Sequence, residues 1–162
     1  MTAASPPAEV GAAGQARNRR LRSPLLLLVG LLLAFEAVGG LWIFTARLLW
    51  GTTPGEALHV GAGLALTLAY AIYQWTHWRR VRPYRARLDY TIGLLAALAM
   101  SGTNLTGLAL GWAWWNDRAV SATHYATWWS AAHNIGSMLV LTFFAAHLGA
   151  VLVRDARARR AS

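Results

Sequence analysis

The sequence predicts an all-α membrane protein, a transmembrane four-helix bundle in up-down-up-down order with both termini in the cytoplasm. Three observations predict it. Of 162 residues 56% are hydrophobic and only 13% charged, against roughly 25% charged in soluble domains. The apolar residues gather in four stretches, at about 24–48, 57–78, 89–112 and 131–153, each long enough for the ~20 residues a ~30 Å hydrocarbon layer demands. The arginines alternate between the gaps. In lipid each span must satisfy its own backbone hydrogen bonds, and spans of this length do so as helices. Short connections favour antiparallel neighbours.

The first element follows a tail, 1–23, rich in Ala, Gly and Pro, whose composition predicts disorder. Its apolar run continues to Trp50 without an A-x-A site, well past the ~7–15 residues of a signal-peptide core, so an uncleaved helix is expected. Four arginines (Arg17, Arg19, Arg20, Arg22) precede it. Five more (Arg79, Arg80, Arg82, Arg85, Arg87) separate the second span from the third, and four (Arg154, Arg157, Arg159, Arg160) lie in a basic tail at 154–162. Only Arg47 and Arg118 fall at the other membrane face, and this asymmetry sets the orientation. Trp50, Trp112, Trp114, Trp115, Trp128 and Trp129 cluster at the opposite, outer end, with Trp75 and Trp78 at the inner end of the second span, as interfacial belts do. A loop at about 113–130 joins the third and fourth spans, read either as a short interfacial helix or as an aromatic surface for a partner subunit.

The formal net charge of +9 thus reports topology and contact with anionic headgroups, and no nucleic acid partner is expected. Cysteine is absent, which excludes disulfides, Cys-ligated metals and covalent haem attachment.

The histidines carry the chemistry. Ionisable residues within membrane spans are costly and tend to be functional. On the second span His59 and His77 stand at i and i+18, and on the fourth His133 and His147 stand at i and i+14. At 100° per residue each pair shares a helix face. The two spans run in parallel, so His59 meets the depth of His133 near the outer surface, and His77 and His147 lie toward the cytoplasm. A haem iron held by one imidazole on each side needs histidines on facing helices. Gly61, Gly63 and Gly136, within a turn of the outer histidines, leave room for a flat ring.

The stretch His133-Asn134-Ile135-Gly136 through His147 resembles the H-x2-G-x10-H helix of small di-haem b-type membrane cytochromes. These include the haem-b subunit of formate dehydrogenase and related quinone-linked cytochromes. Ser101-Gly102 in the third span, Leu58-His59 opening the second and His77-Trp78-Arg79 closing it are similar to the same group, over roughly 57–153. The resemblance implies haem b, two expected and one at minimum, moving electrons between membrane quinone and other protein subunits of a redox complex. By itself such a chain is an electron carrier in a bacterial cytoplasmic membrane rather than a complete enzyme. One departure is the spacing. The family keeps similar intervals on both ligand helices, whereas i+18 against i+14 sets the inner pair about 6 Å out of level. His77 is therefore read either as the fourth ligand or as an interfacial histidine beside Trp75 and Trp78.

Two further residues are candidates. Glu36, mid-span in the first helix, is read either as a proton-transfer or quinone-contact group or as a neutral acid bonded to a neighbouring helix. Arg47 is read either as the partner of a haem propionate or as snorkelling to headgroups. His124, in the outer loop, is expected to be a surface residue. Two other functions compete: a haem-free structural or assembly subunit of a respiratory or photosynthetic complex, and a pigment-binding subunit using one histidine per magnesium.

Overall fold

The computed structural model describes residues 23–81, 88–120 and 127–160. Among them are four helices, α1 (Pro24–Trp50), α2 (Glu56–Val81), α3 (Leu88–Val120) and α4 (Thr127–Arg160), and no strand. Each contains a stretch long and apolar enough to cross a membrane, and the protein is a multi-pass membrane protein of the all-α class its sequence predicts.

Helix ends follow local chemistry. Pro24 occupies the first turn of α1, where its missing N–H costs nothing. Gly51 ends α1 in the left-handed region at φ 67°, its N–H donating to the carbonyl of Arg47. A short turn leads into α2, whose Glu56 N–H donates to the Thr53 carbonyl while its carboxylate accepts from the Thr53 hydroxyl at 3.1 Å. Within the spans, the hydroxyls of Thr45, Thr67, Ser101, Ser137 and Thr142 donate to the carbonyl one turn back, so no hydroxyl of this set faces lipid unpaired.

The third and fourth helices outrun the predicted spans. The loop expected at 113–130 is helical up to Val120 and again from Thr127, and the basic segment from 154 continues α4 as far as Arg160. At 33 and 34 residues these helices rise about 50 Å, more than a ~30 Å hydrocarbon layer, so their polar ends project beyond it. The tail at 1–22 and His124 lie outside the described residues.

The bundle is two antiparallel hairpins, α1–α2 and α3–α4, packed closely within themselves and less extensively against each other through α2 and α3. Several glycines, Gly63, Gly93, Gly107 and Gly136 among them, make room for a side chain of the neighbouring helix. Leu66, Ala69, Met100, Val140 and Val29, each under a tenth exposed, meet as an apolar plug at mid-depth, with Tyr70 and Tyr73 packed against it. The outward faces are apolar and exposed, for example Leu31, Leu48, Leu68 and Leu105; lipid is their solvent. We call the end carrying Arg79, Arg80, Arg154 and Arg157 the basic end.

Candidate functional site: two levels of histidine

The four span histidines lie at two levels on either side of the apolar plug. At the level away from the basic end, the rings of His59 (α2) and His133 (α4) stand 6.4 Å apart, centroid to centroid, at 79°. A metal ion sits about 2 Å from an imidazole nitrogen, so two rings sharing one ion have centroids about 6 Å apart. The observed separation fits that requirement.

Each histidine turns Nδ1 toward an oxygen of its own hairpin. His133 Nδ1 lies 3.1 Å from the Thr103 carbonyl, with Thr106 Oγ1 at 3.2 Å. His147 Nδ1 lies 2.9 Å from the Asp89 carbonyl. A carbonyl only accepts, so in both rings Nδ1 carries the proton and Nε2 keeps its lone pair. His59 Nδ1 is 2.9 Å from Glu36 Oε2, an ion-pair distance, though off the line of a ring N–H hydrogen bond. His77 Nδ1 is 3.4 Å from the Tyr73 hydroxyl, and the two rings stack with centroids 5.3 Å apart.

Glycines of the neighbouring helix seat three of these rings. A methyl group on Gly107 would stand 3.0 Å from His133 Cε1, one on Gly93 2.8 Å from His147 Cε1, and one on Gly40 3.2 Å from His59 Cε1. Gly93 and Gly107 stand at i and i+14 on α3, the same interval as His133 and His147 on the antiparallel α4. The two helices therefore meet in register, a glycine of one opposite a histidine of the other, twice.

The level at the basic end is built differently. The same i+14 step taken from His59 along α2 reaches Tyr73, and His77 lies a turn further on. Tyr73 thus holds the place on α2 that matches His147, and His77 stacks beneath it. Asp89, whose carbonyl meets His147, also pairs its carboxylate with Arg154 two turns further along α4.

The other predicted site residues fall as follows. Gly63 faces Glu36, with a methyl there 3.3 Å from Oε2, and Gly136 faces Thr103, with a methyl there 2.6 Å from Oγ1. Both make room for a neighbouring helix's side chain; a methyl on Gly61 would meet nothing within 4 Å. Arg47 is exposed at the end of α1. Gly39, Gly40, Gly93, Gly107, Asp89 and Thr103 were not singled out by sequence reasoning. The glycine spacing on α3 was the available signal; backbone carbonyls gave none.

Two hollows open beside these levels. One of about 270 Å³ lies next to His59, between Gly39, Trp42 and Gly55. Another of about 380 Å³ runs between α2 and α3, where Tyr70, Gln74, Ser101 and Asn104 are joined by Trp75 and Trp78. Among the described residues no group of three or more His, Asp or Glu gathers around a point. No protein-family model, curated protein or solved structure matches this chain, and the geometry of these two levels carries the functional argument.

Proposed function

We propose that the protein is a b-type cytochrome membrane subunit that carries electrons through bis-histidine haem between the quinone pool and a redox partner in a larger complex. The observation that carries this reading is the orientation of the imidazoles. His133 and His147 have Nδ1 committed to a backbone carbonyl and a bare Nε2, as metal-ligating histidines do. The His59–His133 spacing suits one ion between them. Histidine pairs, rather than larger ligand clusters, suit an iron whose remaining ligands come from a porphyrin.

Haem, when bound, supplies one-electron transfer. The chain's own residues hold the imidazoles, exclude water with the apolar plug and separate the two levels. His59 and His133 would hold one haem, and His147 with His77 a second. The largely apolar groove between α2 and α3, with a few polar groups from Gln74, Asn104 and Ser101 and indoles from Trp75 and Trp78, supports a lipid-soluble carbonyl compound such as a quinone as redox partner. The arginines favour a bacterial cytoplasmic membrane with both termini inside.

The decisive measurement is a dithionite-reduced minus oxidised absorption spectrum of the purified protein, with haem counted per polypeptide as pyridine haemochrome. A b-type α band and two haems per chain are expected. A chain isolated from haem-replete membranes with no α band would instead be a haem-free scaffold, its histidines serving only to fill the glycine seats.

A further inference from the structure

Among the described residues, Glu36 is the one carboxylate in the set of oxygens that face the four histidines, and it comes from α1, which supplies no histidine. Its side chain is 12% exposed in the middle of a membrane span, where an unpaired carboxylate costs several kcal/mol. Two notches hold it in place. On α1, Glu36, Gly39 and Gly40 share one face by the i, i+3, i+4 rule. On α2, His59 and Gly63 share another at i and i+4. The imidazole of His59 seats against Gly39 and Gly40, and the carboxylate of Glu36 seats against Gly63. Each helix thus offers a glycine notch to the functional side chain of the other, and the two side chains meet at 2.9 Å.

We propose that Glu36 is the positioning residue of His59. Its carboxylate stands 2.9 Å from Nδ1, off the line of a ring N–H hydrogen bond. The small rotation that closes this bond would keep Nδ1 toward α1, leave Nε2 bare and strengthen His59 as an electron donor beyond what a carbonyl gives His133 and His147. Resting on the bis-histidine reading, the consequence is an asymmetric pair of centres: the haem held by His59 has the lower reduction potential.

The test uses the full chain, wild type and Glu36→Gln, Glu36→Leu and Gly63→Ala. In the haem-loaded protein, redox titration of the α band should show one component moving to higher potential in Glu36→Gln and in Gly63→Ala, the other staying in place. Glu36→Leu should lose one of two haems, with helix content by circular dichroism retained. In haem-free protein, the ring ¹⁵N signals of His59, assigned by their loss in His59→Asn, should report an Nδ1–H tautomer in wild type and a mixture in Glu36→Leu. Unchanged potentials in Glu36→Gln and Gly63→Ala would overturn the inference. So would His59 ring signals indifferent to Glu36→Leu. A wild-type chain that takes up no haem defeats the cytochrome reading alone, and the ring signals still decide the role of Glu36.

Discussion

His147 is oriented by a main-chain oxygen, and His133 by a main-chain oxygen joined by the Thr106 hydroxyl, so the surroundings of His147 are the most tolerant of side-chain change. Asp89→Ala removes the ion pair to Arg154 but leaves the carbonyl that accepts from His147. Arg154 is 46% exposed and Asp89 15%, so the loss should be on the order of 1 kcal/mol. The haem count of Asp89→Ala should equal that of wild type; loss of a haem would mean that the carboxylate, not the carbonyl, positions His147. His133→Ala should remove one haem and spare the other, measured as haem per polypeptide. The glycine seats are less forgiving. Gly107→Ala puts a methyl 3.0 Å from His133 Cε1, against a ring pinned by two oxygens. We expect a cost of about 1–3 kcal/mol, as overpacking gives, together with loss of the haem proposed between His59 and His133. Gly30→Ala, with nothing within 4 Å of the new methyl, should leave both haems in place and is the control.

At the scale of elements, the i, i+14 interval that recurs on α3 and α4 fixes how that hairpin packs. A one-residue slip would carry both histidines about 100° away from their glycines at once, so the register is determined twice over. The α1–α2 hairpin is fixed once, by the Glu36, His59 and Gly63 contacts. At its other level it has Tyr73 stacked on His77 instead of a histidine on a glycine. The two levels should therefore differ in behaviour. Tyr73→Phe removes the hydroxyl near His77 Nδ1 and should alter the spectrum of the haem at the basic end while leaving the other as in wild type. A change confined to the His59–His133 component would contradict this assignment. Serial haem removal offers a complementary check: if His77 and His147, a turn out of level, hold the second haem proposed above, that haem should be lost first.

For the whole molecule, orientation in the bilayer is the property most open to measurement. The chain contains no cysteine, so single cysteines can be introduced without removing any. In sealed cells a membrane-impermeant thiol reagent should label a cysteine in place of Ser121, between α3 and α4, and should not label one in place of Ser5 or Ser162. Labelling of all three, or of the two termini only, would refute the arrangement with both termini inside. The number of spans and their order were legible in the sequence because lipid imposes a length and an apolar composition on anything that crosses it. Helix ends were less legible. Hydropathy falls where a helix leaves the hydrocarbon layer, whether or not the helix continues, so the last turns of α3 and the extension of α4 to Arg160 left no apolar signal. Among site residues, the histidines stood out because an ionisable group in lipid is conspicuous. Gly93 and Gly107 were readable only by matching their spacing to that of His133 and His147.

The sequence by itself determined four membrane helices, the clustering of arginine at one end, and the intervals between histidines, since each follows from local composition or from the fixed rise of a helix. The tertiary structure alone decided which oxygen each Nδ1 meets. Every residue has a carbonyl, and nothing in a sequence marks those of Asp89 and Thr103 until two helices pack in register. It also decided that Glu36 belongs to His59. That contact depends on two glycine notches on different helices coming to the same depth, which is a property of the packed hairpin and of neither helix alone.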